Sequence, residues 1–362
     1  MKADRPQRIL IVRLGSLGDI LHALPLLVTL KENFPHWEVD WLLERRWKPL
    51  LEANPYLSRL QEVDTLAWRR KPFSWQTRNS FAQVFQSLQD RSYDAALDLQ
   101  GALKSAAACY LSGAREVIGL DRPWLREPAG GVFYTRRVST EAVHIVEANL
   151  TVAKALGAQH LHIRFPVPEG DAESLPAEIP QNGVAVLNPG AGWRSKCWPV
   201  ERYAAVADVL EKEFLLKVAL NAGPGEEPLA REVQAACRHS RPLLYSGSLG
   251  GLIALLRRAT LFIGGDTGPL HLAAALEVPA VALFGPTDPQ RNGPYGNRHH
   301  VLRPENAETS YRHSSKPGTV MNGISVEEVA EATRQLLQES PPSFKQPSDS
   351  LQPLGQEKCQ EK

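Results

Sequence analysis

The feature that most constrains this chain is a twice-repeated alternation of short β-rich apolar runs with helix-period segments. The first series predicts strands at 8–14, 38–43, 93–99 and 117–120. Helical patterns fall between and after them, at 19–33, 47–53, 81–89, 102–111 and 142–156. Strands that alternate with crossover helices make a parallel sheet. Between 166 and 182 the composition turns to Pro, Glu, Asp and Gln without periodicity, the signature of a linker. A second series follows, with strands at 184–188, 217–222, 243–245, 261–263 and 280–284 and helices at 200–214, 228–237, 249–259 and 269–276. The fold class expected is α/β, two Rossmann-like domains facing each other across a central crevice. Their bounds are 1–166 and 183–324, joined by a linker at 167–182. The length of 362 residues also suits two domains. A closing helix is expected over 325–339, where Ser325 and Glu328 form a capping box. The Pro-, Gln-, Ser- and Lys-rich tail at 340–362 is expected to be disordered.

Composition narrows the function classes. Hydrophobic residues make up 43% and charged residues 22%, which excludes a wholly disordered or membrane-spanning chain. A formal net charge of +1 gives no global field for nucleic acid, so none is expected as a partner. Cys109, Cys197, Cys237 and Cys359 are far apart, so neither a disulfide framework nor a metal site is signalled, and a reducing cytoplasm is expected. The apolar stretch from Ile9 to Leu30 is broken by Arg13, Asp19 and His22, and reads as a buried strand entering a loop rather than an export signal or membrane span.

In such folds ligands lie beyond the carboxyl ends of the strands. Four strings sit there. GSLGD (15–19) follows the first strand but lacks the G-x-G-x-x-G of a dinucleotide fingerprint. Glycines at 15 and 18 permit close approach of a ligand, and Asp19 falls in a first helical turn near the crevice, where capping is the favoured reading and a functional role the other. GGDTGPLHLAAA (264–275) joins a strand to a helix, offering the amides at Thr267 and Gly268 to an anion, with Asp266 able to cap and His271 one turn in. PGAGWRSKCWP (189–199) sets Arg194 and Lys196 at the same edge, where two cations suit an anionic ligand, although lone loop cations are usually solvated. NAGPGEEP (221–228) places Glu226 or Glu227 where it can accept from ribose hydroxyls or cap the next helix. The run Arg69-Arg70-Lys71 between Trp68 and Trp75 is locally cationic, and Lys104 and Arg126 extend that basic surface. HExxH, G-x-S-x-G and a DxD-type carboxylate pair are all missing, so metal hydrolysis and serine-hydrolase chemistry have no footing.

The order and spacing of GSLGD, DLQGALKSA (98–106), REPAGGVFY (126–134), SKCWP (195–199), GGDTGPLHLAAAL (264–276) and FGPTDP (284–289) closely resemble the ADP-heptose:lipopolysaccharide heptosyltransferases, glycosyltransferase family 9. The resemblance covers roughly residues 8–340 and is strongest to the heptosyltransferase I members. It implies a GT-B architecture whose final helix returns toward the first domain. It also implies inverting, metal-independent transfer, without a cofactor, from ADP-heptose to the inner Kdo of Kdo2-lipid A, by an enzyme peripheral at the cytoplasmic face of the inner membrane. Asp19 then matches the family's catalytic carboxylate, Lys196 its lysine near the donor, and Glu226 its ribose-side acid. Asp266, Thr267, Gly268 and His271 match its diphosphate-binding string, with Arg194 a further donor-side candidate. Arg69, Arg70, Lys71, Lys104 and Arg126 become acceptor candidates, because Kdo carboxylates and lipid A phosphates are anionic. Ala191 and Gly192 stand where some members carry two threonines. Rival readings are transfer of a later heptose or another sugar, an NAD-dependent oxidoreductase, and a non-catalytic nucleotide-binding module.

Overall fold

In the computed structural model, residues 6–310 and 319–339 are described, and the tail expected beyond residue 340 lies outside them. Two six-stranded sheets form, and every strand pair within them is parallel. The first contains β1 (Arg8–Val12), β2 (Glu38–Glu44), β3 (Arg59–Val63), β4 (Ala95–Asp98), β5 (Glu116–Leu120) and β6 (Arg136–Val138), in the order β3-β2-β1-β4-β5-β6. The second contains β7 (Val184–Asn188), β8 (Lys217–Asn221), β9 (Leu243–Tyr245), β10 (Ala259–Gly265), β11 (Ala280–Leu283) and β12 (His299–Leu302), in the order β12-β11-β10-β7-β8-β9. Counted from its own first strand, each sheet has the doubly wound order 3-2-1-4-5-6. The order reverses between β1 and β4 in one sheet and between β7 and β10 in the other, and ligands bind beyond such switch points.

The central strands are buried over most of their length, with Ile9, Leu10, Ile11 and Val12 of β1 at zero exposure, as strands covered by helices on both faces must be. The first helical stretch splits into Leu17–Leu21 and Leu24–Asn33 because Pro25 lies at the start of the second piece, where the ring is tolerated and an amide hydrogen is not needed. One core cluster runs through both halves. Leu17, Ile20 and Leu21 belong to the same cluster as Leu270, Leu272 and Ala273, so the helix at Leu17–Leu21 and the one at Gly268–Ala275 meet in a shared apolar seam. Gly268 exists there for contact, since a Cβ on it would lie 2.8 Å from Leu17.

The closing helix, Val326–Glu339, begins at the expected capping box, with Ser325 N–H donating to Glu328 at 2.7 Å and Glu328 N–H to Ser325 Oγ at 3.1 Å. Val329, Ala332 and Leu336 join the core of the second sheet, beside the helix Val200–Glu213. Through residue 339 the helix packs its apolar stripe on the second sheet, against β11, β12 and the helix Val200–Glu213.

Candidate active site

The loop after β1 carries Asp19 to the first switch point. The Asp19 carboxylate accepts from Ser16 N–H (2.8 Å) and Ser16 Oγ (3.0 Å), so the capping role read from spacing is real. Two arginines share the same oxygens. Arg13 Nη2 lies 2.6 Å from Oδ1 and Arg126 Nη2 2.8 Å from Oδ2. The partners are unequal. The Arg13 side chain is 3% exposed and also donates to the Leu99 carbonyl, whereas Arg126 is 52% exposed. Burial alone would raise the Asp19 pKa, but Arg13, Arg126 and the Ser16 amide together hold it well below the usual carboxylate range.

Arg126 is placed by two of the sequence strings. Asp98 closes the DLQG turn by accepting from the amides of Gln100 (2.9 Å) and Gly101 (3.1 Å), and Tyr134 O–H donates to its other oxygen at 2.7 Å. Gly101 sits at φ +66° beside the Trp124 carbonyl, and Gly119 leaves room for the Tyr134 ring, which a Cβ would meet at 2.3 Å. Glu127 accepts from Leu103 N–H, tying the REP segment to the helix that carries Lys104. Lys104 is held below its ordinary pKa by partial burial, opposed by Glu44 and reinforced by Arg69, Arg46 and Arg126. Arg69, Arg70 and Lys71 are exposed at the end of the helix Thr65–Arg70.

In the second domain Lys196 Nζ pairs with Asp266 Oδ2 at 2.6 Å, Thr287 Oγ1 donates to the same oxygen at 2.8 Å, and His271 Nε2 donates to Oδ1 at 3.2 Å. Asp266 is thus engaged by Lys196, Thr287 and His271, and the N-cap residue Thr267 makes no side-chain capping bond to the helix Gly268–Ala275. Burial would raise the Asp266 pKa, but His271 and Lys196 drive it well below the usual carboxylate range. The Lys196 ammonium also lies 4.6 Å from the Trp193 ring centroid. Glu226 does not cap by side chain either. Its carboxylate takes the Gly223 N–H at 3.0 Å and lies against Gly190, where a Cβ would be 2.2 Å from Cδ. Glu227 instead accepts from Ser246 at 2.6 Å. Arg194 is exposed in the turn that holds Lys196.

The two halves of the site meet. A Cβ on Gly18 would be 2.4 Å from the His271 ring, so the backbone next to Asp19 touches the residue that holds Asp266 and, through it, Lys196. A cleft of about 540 Å³ opens beside this seam, lined by Arg13, Asp19, Trp124 and Arg126 from one side and Trp193 and Arg291 from the other. Arg291 lies over the Trp124 ring at 4.6 Å and donates to the Pro123 carbonyl at 3.3 Å, bridging the domains. Below the cleft, His22 packs edge-on against His271 (4.5 Å) and His144 (5.4 Å). His144 Nε2 donates to the Gly293 carbonyl at 3.1 Å, another bond across the seam. Burial, followed by the other two histidines, pushes the His22 pKa far down.

Arg13, Trp124, His144, Trp193 and Arg291 were not singled out as site residues from sequence. Arg13 had a signal, since an arginine ending an otherwise apolar strand requires a buried counterion. The others become neighbours of Asp19 or Lys196 only in three dimensions. Among the described residues no group of three or more His, Cys, Asp or Glu side chains is arranged to hold a metal, and no helix is long and apolar enough to cross a membrane.

A family profile described as glycosyltransferase family 9 (heptosyltransferase) matches residues 81–319. Lipopolysaccharide heptosyltransferase 1 of Pseudomonas aeruginosa is 34% identical over 299 residues, covering 80% of this chain and 81% of that protein. Its namesake in Escherichia coli K12 is 30% identical, covering 82% and 93%. Among solved structures, E. coli heptosyltransferase WaaC with ADP superposes with a TM-score of 0.75 at 28% identity, over 92% of this chain and 99% of that one. Together with the two parallel sheets, this makes the architecture GT-B.

Proposed function

Because the chain belongs to glycosyltransferase family 9, the heptosyltransferases, we propose that it moves L-glycero-D-manno-heptose from ADP-heptose to the inner Kdo of Kdo2-lipid A, with inversion and without a metal. It would work as a peripheral enzyme at the cytoplasmic face of the inner membrane. The observation that carries this reading is the seam at Gly18 and His271, where the Asp19 loop of one switch point abuts the Lys196–Asp266–His271 group of the other.

The acceptor hydroxyl attacks the anomeric carbon of the donor sugar. As the new C–O bond forms, Asp19 takes the hydroxyl proton, and the bond to the β-phosphate breaks with its electron pair leaving on ADP. A carboxylate held by two arginines is a weak base, so its proton transfer comes late, when the attacking oxygen has become acidic. The charge that grows on the β-phosphate meets Lys196 and the amide groups at Thr267 and Gly268, at a helix end worth about half an elementary positive charge. Asp266 acts through Lys196 and His271, since an ionised carboxylate repels a diphosphate and here serves to aim the ammonium. Glu226 is the ribose-side acid, and Arg194 stands at the outer edge of the donor site. Arg126, Lys104 and the Arg69-Arg70-Lys71 run receive the anionic acceptor.

The test is ADP release from ADP-heptose and Kdo2-lipid A in excess EDTA, with the anomeric configuration of the product read by NMR. Undiminished turnover with inversion is expected. A divalent-metal requirement, retained configuration, or turnover only on an acceptor that already carries heptose would overturn the respective parts of the proposal.

A further inference from the structure

The helical hairpin formed by Thr65–Arg70 and Trp75–Gln89 has two unlike sides. Its inner side is fixed. Val84, Phe85 and Leu88 are buried, and Trp68, Phe81 and Phe85 form a ring chain at 5.4 and 4.5 Å. Thr65 N–H donates to Glu44 at 3.1 Å, and Arg59 donates to Ser87 at 2.6 Å. Its outer side presents Phe73 at 92% exposure and Trp75 at 74%, with Leu66 exposed nearby. Arg69, Arg70, Lys71 and Arg78 surround these groups and are exposed as well. From residue 65 to residue 89 the chain has no Asp or Glu. Aromatic rings held out into water at a tight bend cost solvation free energy unless something apolar receives them, and a cluster of exposed cations with no acid in the segment attracts an anionic partner.

One partner satisfies both demands. We propose that the bend at residues 71–76 is a bilayer wedge, with Phe73 and Trp75 entering the boundary between headgroups and acyl chains while Arg70, Lys71 and Arg78 pair with the phosphates of anionic lipids. Trp prefers that boundary, and basic side chains reach headgroups while their stems stay in the apolar layer. This rests on the reading of the acceptor as membrane-borne and assigns the part of the chain that docks. The wedge also sets the direction of delivery. Arg69 and Arg126 both lie near enough to Lys104 to disfavour its charge, and Arg126 in turn binds Asp19, so cations stand between the docked face and that carboxylate. An anionic acceptor drawn from the bilayer passes along them without entering bulk water.

Flotation of the full chain with vesicles of equal parts phosphatidylglycerol and phosphatidylethanolamine tests the wedge. The chain is expected to float with them, and Phe73→Ser/Trp75→Ser to lower the partition coefficient at least about tenfold, in proportion to the apolar surface removed. Turnover on a deacylated acceptor is expected to stay unchanged, because neither side chain lies in the cleft. The part of the emission lost in Trp75→Phe is expected to shift to the blue on binding and to be quenched by brominated acyl chains. Equal flotation of the double variant would overturn the wedge while leaving membrane attachment by cations standing. No flotation of the unaltered chain would overturn both. Equal binding to uncharged phosphatidylcholine would refute the anionic-lipid pairing, and self-association abolished by the double variant without vesicle binding would assign the face to a second copy.

Discussion

Replacing Asp19 by Asn separates its two roles. The amide keeps an oxygen for Ser16 N–H and the volume of the side chain, but it removes the charge that pairs with Arg13 at 2.6 Å. Arg13 then remains buried, with the Leu99 carbonyl as a neutral acceptor. Stranding one member of a buried ion pair costs roughly 3–5 kcal/mol, and the part-exposed side of Asp19 puts this case at the lower end, about 3 kcal/mol. For a domain of this size that lowers the melting midpoint by roughly 6–12 °C. If Asp19 is the proton acceptor proposed above, its loss should lower kcat about 10²- to 10⁴-fold. ADP affinity should hold, because Asp19 makes no bond to the Lys196–Asp266 pair. The double variant Arg13→Met/Asp19→Asn removes both charges and should recover much of the lost stability without restoring turnover. Calorimetry, ADP titration and steady-state ADP release read the three quantities separately. If Asp19→Asn keeps more than about a tenth of kcat, far above the loss expected for a general base, Asp19 is not the base. If the single variant melts where the parent does, the buried clamp has been overvalued.

The remaining expectations are simpler. Lys196→Ala should lower kcat and raise the donor KM together, as removal of a group that meets the diphosphate both on binding and as charge develops; loss in KM alone would refute a role in leaving-group stabilisation. Gly190→Ala must push the Glu226 carboxylate aside, since the new methyl would lie 2.2 Å from Cδ, and should weaken ADP binding at least about tenfold if Glu226 makes the proposed ribose contact; unchanged calorimetric affinity would count against Glu226. Burial pushes the pKa values of both His22 and His144 below their unfolded values, that of His22 far below. As the pH falls below about 6.5 the unfolded chain gains protons that the folded chain refuses, so stability should drop by up to about 1.4 kcal/mol per pH unit for each histidine. Denaturant melts from pH 7 to 5 check this, and a His22→Asn variant with the same slope as the parent would deny His22 its share.

The alternation of strands and helices was legible because central parallel strands are uniformly apolar. The strands that sequence missed are β3, β6 and β12, three edge strands spelled RLQEV, RRV and HHVL, whose polar residues interrupt any apolar run, and the short helices Thr65–Arg70 and Pro289–Asn292 were missed as well. Asp19 and Lys196 stood out because each follows a strand through glycines. Arg13 read as an interruption, and its meaning depends on a carboxylate one turn of chain away that folds back over it. The Arg126–Asp19 bond joins residues 107 positions apart, and no local pattern encodes it. The closing helix was legible as an element, through its cap and stripe, but its docking partner was not, because an apolar stripe does not say which sheet it will cover.

The unequal grip of the two arginines on Asp19 makes its proton affinity adjustable. Arg13 is walled in and permanent, whereas Arg126 is open to competition from any carboxylate or phosphate that enters beside it. Each guest anion that draws Arg126 away leaves Asp19 with a single counterion and a stronger pull on a neighbouring hydroxyl. An empty cleft thus keeps the carboxylate quiet, and an anion bound beside it would, by its own charge, raise the proton affinity that the proposed base needs.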